Sequence, residues 1–326
     1  MNRPVIEEVL PSLYRVEVPL PRNPLKATNS YILKSDRNLI VDTGMNQKEC
    51  MDALSAAFKY LNIDLTCTDF FVTHLHADHL GLVGELVDAS SIVYFNQPDA
   101  ETINNQQLWQ DLFLMAGKHG FSDSELKSAL GMHPGHRYSP KGPLKFTIVR
   151  EGDRITAGDY NWQCVETPGH TRGHICLYES KRKILISGDH ILGDITPNIS
   201  SWDDRGNPLR DYRQSLDKVS AMEVELVLPG HRSVLTECKR RIDELKVHHE
   251  LRLEELSDIL HNIGAASAYQ IASLMRWDII AENWNGFPIM QKWFATGEAI
   301  AHLKYLEEEG AVLKNLEDSK ILYFLA

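Results

Sequence analysis

The 326-residue sequence predicts an α/β fold, a sheet covered by helices. Three observations point there. β-rich runs alternate with helix-periodic runs over residues 13–96. β-rich runs resume over 145–231 after a helical interruption. Helical pattern dominates from about Glu237 to Ile263, and no further strand–helix pair follows. Strand–helix–strand alternation of this kind buries a sheet beneath helices.

The elements follow in order. "LYRVEVPL" (13–20) and "NSYILKS" (29–35) carry β-branched and aromatic residues, and "NLIVDTG" (38–44) is an apolar run closed by a turn. "QKECMDALSAAFKYL" (47–61) has apolar positions at helical spacing. "DFFVT" (69–73) reads as a buried strand, "HLGLVGELVD" (79–88) as a helix and "SIVYFN" (91–96) as a strand. Residues 97–140 read as a helical insertion of two helices, "DAETINNQQLWQDLFLMAGKHG" and "SDSELKSALG", the second opening on Ser/Asp capping chemistry. Strands resume at "KFTIVRE", "NWQCVETPG", "HICLYES" and "KILISGD"; a helix near 211–221 precedes "VELVLPGH". The length suits one large domain and a smaller one, placed at 1–237 and 238–326.

Apolar residues make up 43% and charged residues 24%, ordinary values for a globular chain. The net charge of −11 argues against non-specific binding to nucleic acid or acidic membranes. Cys50, Cys67, Cys164, Cys176 and Cys238 are widely spaced with no CxxC, which reads as free thiols in a reducing cytoplasm. The start, "MNRPVIEEVLPSLYRVEV", has no apolar core of signal-peptide type, and no apolar run reaches the roughly 18 residues of a membrane span. A cytoplasmic location is expected.

"FVTHLHADHLG" (71–81) places His74, His76, Asp78 and His79 within six positions. A strand alternates its side chains, so His74 and His76 are expected on one side, with Asp78 and His79 facing back from the start of a helix. Such a set can hold two metal ions a few ångströms apart. "TPGHTRGH" adds His170, "ISGDH" adds Asp189 and "VLPGHR" adds His231, each in a turn after a strand, where α/β proteins build their sites. Taken singly, a histidine after a Pro-Gly turn is an ordinary surface residue and an aspartate after Ser-Gly an ordinary turn or cap. Four ligand-type residues in six positions, in a chain with 14 histidines, are not ordinary. His119, His133, His136, His248, His249, His261 and His302 lack such context and read as structural. His174 and His190 each neighbour a candidate ligand and are expected at the cleft edge without binding metal.

"THLHADHLG", "TPGHTRGH", "SGDH" and "LPGH" together resemble the metallo-β-lactamase superfamily, in particular its hydrolase branch of the glyoxalase II type, over residues 10–235. The resemblance implies a four-layered αββα sandwich with metals at one edge of the two sheets. It implies that His74, His76 and His170 bind one metal, that Asp78, His79 and His231 bind a second, and that Asp189 bridges them. Asp42, in "IVDTG", would hold a ligand histidine by a hydrogen bond rather than bind metal. The ligand set implies that two divalent cations generate a hydroxide near neutral pH, that one acts as a Lewis acid, and that Asp78 orients the nucleophile, which makes Asp78 and Asp189 the catalytic pair. Mixed N/O ligands without cysteine make zinc the first choice, with iron or manganese compatible.

A thioester or ester is the expected bond, since a thiolate with a pKa around 8.5 leaves without a general acid. The substrate is then a small molecule. "LWQDLFLMAGKHGF" in the insertion reads either as apolar packing onto the sandwich or as a lid shaping an acyl pocket. The tail has the order helix, helix, helix, hairpin and resembles the winged-helix tail of metallo-β-lactamase-like proteins, including a mitochondrial group acting on single-stranded RNA. That makes a metal-dependent endoribonuclease the first alternative and a metal-binding sensor with little turnover the second. Residues 241–326 hold 8 Lys/Arg against 14 Asp/Glu, a balance of −6, which disfavours phosphate recognition. The tail then reads as packing support, a cleft edge or a homodimer surface. "RWDIIAENW", with Trp277 and Trp284, is expected either to anchor it against the insertion or to fill its own core.

Overall fold

Two sheets face each other, and the alternation of side chains along their strands decides what lies between them. The computed structural model describes residues 4–142, 144–279 and 281–326. Thus Met1–Arg3, Pro143, and Ile280 in the segment with Trp277 and Trp284, lie outside the described residues.

The first sheet has seven strands in chain order: β1 (Ile6–Leu10), β2 (Leu13–Pro19), β3 (Ala27–Leu33), β4 (Asn38–Val41), β5 (Thr68–Phe71), β6 (Val93–Asn96) and β7 (Thr147–Val149). Its β1–β4 half is antiparallel and its β4–β7 half parallel. The second sheet comprises β8 (Arg154–Ala157), β9 (Tyr160–Glu166), β10 (Ile175–Glu179), β11 (Ile184–Gly188) and β12 (Leu226–Pro229), in the order β12-β11-β10-β9-β8. Leu39, Val41 and Phe71 point inward to meet Trp162, Cys164, Leu177 and Ile186 of the facing sheet. Their chain neighbours Ile40 and Phe70 point outward onto α1 (Lys48–Leu61), through Leu54 and Phe58. Val165, Cys176 and Leu185 point outward onto α8 (Pro208–Ser220) and the first half of α9 (Cys238–Ile263), through Leu209, Leu216, Ile242 and Leu245. The four αββα layers follow from this period-two alternation on both sheets.

Sequence reading missed β1 and β8, which are short edge strands with half-exposed patterns. The helix expected over 79–88 is two single turns, α2 (Ala77–Leu80) and α3 (Val83–Leu86). It breaks because the Leu82 N–H donates to the Gly44 carbonyl at 3.1 Å instead of continuing the helix. The insertion has four helices rather than two: α4 (Gln97–Asn104), α5 (Leu108–Lys118), α6 (Asp123–Met132) and α7 (Pro134–Tyr138). Ser122 and Glu125 form the capping box that opens α6.

The tail consists of the second half of α9, α10 (Ala268–Leu274), α11 (Ile289–Glu308) and a small sheet of β13 (Ala266–Ser267), β15 (Lys320–Leu325) and β14 (Val312–Glu317). Leu256 and Leu260 of α9 pack with Ile271, Ile300, Leu303 and Tyr323, so one helix serves both cores. The apolar face of the insertion docks on this tail. Ala116, Phe121 and Ala129 cluster with Trp293, whose ring stacks on Trp202 at 4.2 Å. The Tyr269 N–H donates to the His119 carbonyl at 3.0 Å, and Lys292 pairs with Glu125 at 3.3 Å. The apolar run 108–121, expected either on the sandwich or as a lid, thus packs on the tail through Leu112, Phe113, Ala116 and Phe121, while α4 and α7 meet the sandwich through Ala100, Ile103 and Tyr138. Trp277 lies within the tail, under the Arg252 guanidinium at 4.1 Å. Trp284 meets Tyr269 edge-on at 5.4 Å. Among the described residues the cysteines are free and no helix is long and apolar enough to cross a membrane.

Trp293 is 2% exposed and joins insertion to tail. Trp293→Ala is expected to cost about 3–5 kcal/mol in urea unfolding, the range for emptying a buried aromatic site, and to open 97–140 to limited proteolysis. Unchanged stability and protection would show that the insertion is held elsewhere.

Candidate metal centre

The cluster is assembled where strands of both sheets end. β4 ends into Asp42, β5 into the loop that carries His74 and His76, β11 into Asp189 and β12 into His231. His170 lies in the turn between β9 and β10. His74 and His76 are not on a strand, as the alternation argument assumed. β5 stops at Phe71, and the loop beyond it brings His74 Nε2 within 3.0 Å of His76 Nδ1. His76 caps α2, which carries Asp78 and His79.

All seven expected ligands come together. Three groups, His74–His76–His170, His74–His79–Asp189 and Asp78–His79–His231, each place one ligand atom per residue within 4.8 Å of the others. Asp189 lies between them. Its Oδ1 is 3.5 Å from His79 Nε2, and its Oδ2 is 3.5 Å from His170 Nε2 and 3.4 Å from His231 Nε2. His231 Nε2 is also 3.4 Å from Asp78 Oδ2.

The ring orientations are imposed from outside the cluster. Asp42 accepts the Thr73 N–H and hydroxyl at 2.9 and 2.8 Å, and the His79 Nδ1–H at 2.8 Å. Because the Thr73 proton goes to Asp42, Thr73 Oγ1 accepts from His74 Nδ1 at 3.0 Å. His170 Nδ1 donates to the Asn198 carbonyl and His231 Nδ1 to the Ala27 carbonyl, both at 2.8 Å. Four histidines therefore spend Nδ1 on the scaffold and aim Nε2 inward, as metal-ligating imidazoles do; His76 presents Nδ1.

His174 and His190 are not at the cleft edge. Both are buried. His174 Nε2 accepts the Asp189 backbone N–H at 3.1 Å, while its Nδ1–H is held by Thr167 Oγ1 at 2.8 Å. His174 thus supports Asp189 from behind. His190 packs on Tyr212 at 5.2 Å, and its carbonyl accepts the Tyr212 hydroxyl. Gly230 is required by closeness: a Cβ there would lie 2.4 Å from Asp189 Oδ1 and 2.8 Å from His79 Cε1.

The electrostatics call for positive charge. Burial, reinforced by neighbouring imidazoles, holds His74 well below the ordinary imidazole range and His76 down to about 3, so both offer lone pairs. Burial opposes charge on His79 and His231 too. Yet the Asp189, Asp42 and Asp78 carboxylates push His79 well up, and Asp189 and Asp78 push His231 up to about 10. Burial likewise opposes ionisation of Asp78 and Asp189, and their histidine neighbours outweigh it, holding both carboxyls low. His79 Nε2, His231 Nε2 and Asp189 Oδ1 are buried without a hydrogen-bond partner; Asp189 turns Oδ1 toward His79 Nε2 and Oδ2 toward His231 Nε2. Orphaned donor atoms of this type, amid crowded carboxylates and neutral imidazoles, fit divalent cations.

One residue that sequence reading missed ties the ligand loops together. Asp99, fully buried in the first turn of α4, accepts the Leu75 N–H at 2.9 Å, the Thr171 hydroxyl at 2.7 Å and the Gly173 N–H at 2.8 Å. It joins the His74–His76 loop to the His170 loop. In "QPDAET" it looks like a common first-turn acid, so no local signal marks it.

Asp99→Asn replaces one acceptor oxygen by a donor facing other donors. It is expected to lower stability in urea by about 1–3 kcal/mol, the cost of leaving buried groups unpaired. An unchanged midpoint would show that these loops are held without Asp99.

Comparison with known proteins agrees with this geometry. Residues 23–231 match the family model of the Metallo-beta-lactamase superfamily, and residues 286–326 match that of the Metallo-beta-lactamase-like, C-terminal domain. The chain is 26% identical over 306 residues to "Probable metallo-hydrolase YqjP" of Bacillus subtilis, covering 90% of this chain and 92% of that one. It is 25% identical over 244 residues to "Atrochrysone carboxyl ACP thioesterase" of Emericella nidulans, covering 73% and 61%. The crystal structure of a metallo-beta-lactamase family protein from Thermus thermophilus is similar at a TM-score of 0.84 and 27% identity, over 98% of this chain and 100% of that one. With a family model matched across most of the sandwich and the ligand-type residues gathered at its edge, the chain is a hydrolase that belongs to the metallo-β-lactamase superfamily.

Proposed function

We propose that the chain is a dinuclear-metal hydrolase that cleaves a thioester or ester of a small-molecule substrate. The observation that carries this reading is the position of Asp189, with Oδ1 toward His79 and Oδ2 toward His170 and His231. A carboxylate so placed can serve two cations. His74, His76 and His170 would hold one ion, Asp78, His79 and His231 the other, and Asp189 both. The donors are nitrogen and oxygen only, which favours zinc, with iron or manganese compatible. Two such cations supply a water nucleophile that ionises near neutral pH and a Lewis acid for the developing negative charge.

The remaining work belongs to this chain's own residues. Asp42, Thr73, Asn198 and the Ala27 carbonyl keep the ring nitrogens aimed inward, so no reorganisation is needed at the moment of reaction. Asp78 shares its Oδ2 with His231 and is placed to orient the attacking water. A thiolate leaving group needs no proton donor, which suits a site whose histidines nearly all spend one nitrogen on the scaffold. The relative named a thioesterase supports this choice of bond. The tail, read as winged-helix-like, carries a −6 balance and supports a role as frame rather than nucleic-acid reader.

Metal-loaded protein is expected to release thiol from a panel of acyl-thioesters, followed with a thiol-trapping dye, at rates little changed by salt. Asp189→Ala is expected to lower turnover by more than about 100-fold, beyond the loss typical of groups that only orient ligands. No turnover of any thioester or ester, or near-normal turnover by Asp189→Ala, would overturn the reading.

A further inference from the structure

The segment between β11 and α8 joins the candidate metal centre to the tail, and Asn198 is its pivot. The Asn198 main-chain carbonyl accepts the His170 Nδ1–H at 2.8 Å. Its side-chain Nδ2 donates to Glu298 Oε2 at 3.1 Å and toward the Phe294 carbonyl at 3.4 Å. Three residues on, the Ser201 N–H donates to the Gly297 carbonyl at 3.0 Å. Glu298, Phe294 and Gly297 all lie on α11. The segment presses so closely on that helix that a Cβ on Gly297 would stand 2.7 Å from Trp202 Nε1 and 2.9 Å from Ser200 Cβ.

Glu298 is 9% exposed, in a helix whose other buried residues include Ala299, Ile300 and Leu303. Burying a carboxylate there is costly unless it is paired and hydrogen-bonded. Its Oε1 lies 3.4 Å from Arg252 Nε of α9. Arg252 is fixed in turn by Glu255 at 2.6 Å, by the Arg276 carbonyl at 2.8 Å and by the Trp277 ring. The charged pair presents one carboxylate oxygen to Asn198.

We infer that Glu298 is a positioning residue: through Asn198 it fixes the ring of His170, so the tail tunes one half of the metal centre. The inference rests on the two-cation reading above. The two halves are held differently. His79 is oriented by Asp42, beside β4, and His231 by Ala27 on β3, both in the sandwich. Among the described residues, only the His74–His76–His170 group takes an orienting contact from a segment clamped by the tail. Disturbing Glu298 therefore reaches one group and spares the other.

The test is zinc titration of the full-length chain against a competing chelator, for wild type, His170→Ala, Glu298→Ala, Glu298→Gln and Asn198→Ala, each first shown folded by circular dichroism. Glu298→Ala and Asn198→Ala are expected to weaken by about 10-fold the same binding step that His170→Ala removes, and to leave the other step within about twofold. Glu298→Gln, whose amide oxygen still accepts from Asn198, should recover most of that loss. If Glu298→Ala does not fold, Asn198→Ala and Glu298→Gln carry the comparison. Equal weakening of both steps, or no weakening in Asn198→Ala, would overturn the inference. Wild-type protein that binds fewer than two zinc ions would overturn the two-cation reading before any variant is compared, and this inference with it.

Discussion

The structure turns on one constraint: the Asp189 carboxylate is buried between two sets of imidazoles. Burial opposes its charge, and His231 and His79 more than compensate. Its backbone N–H is held by His174 and its Oδ1 has a neighbour in Gly230 that leaves no room for a side chain. A cluster with this many competing charges keeps its shape only if each member is fixed from outside. Strand ends do that. They project side chains into a common space while their hydrogen-bonded ladders stay rigid behind.

The frame extends past the sandwich. Asp99 at the start of the insertion joins two ligand loops. Asn198 joins a third element to α11 of the tail. The insertion rests on that same tail through Phe121 and Trp293. Residues 97–140 and the tail are therefore one support built against the open edge of the sandwich. Their aromatic residues interlock: Trp109 and Phe294 both stand against His133, at 4.8 and 6.2 Å.

Much of the site was legible because its chemistry is written locally. Four ligand-type residues in six positions need no structure to be noticed, and the turns carrying His170, Asp189 and His231 each follow a β-rich run. Asp42 accepts the His79 Nδ1–H at 2.8 Å. The strand argument for His74 and His76 failed because periodicity does not report where a strand stops, and β5 stops at Phe71. His174 was misplaced because a histidine beside a ligand can face away from the cleft as well as into it. Asp99, Asn198 and Glu298 were invisible for a different reason. Each acts through contacts with residues 24 to 100 positions away, and nothing in its own neighbourhood distinguishes it. The insertion's docking on the tail was hidden likewise, since an apolar helix face does not name its partner.

The most direct measurement is anomalous diffraction from crystals of the metal-reconstituted protein. The account predicts two peaks, one beside His74, His76 and His170 and one beside Asp78, His79 and His231, with the Asp189 carboxylate in contact with both. A single peak, or two peaks with Asp189 turned away from either, would contradict it.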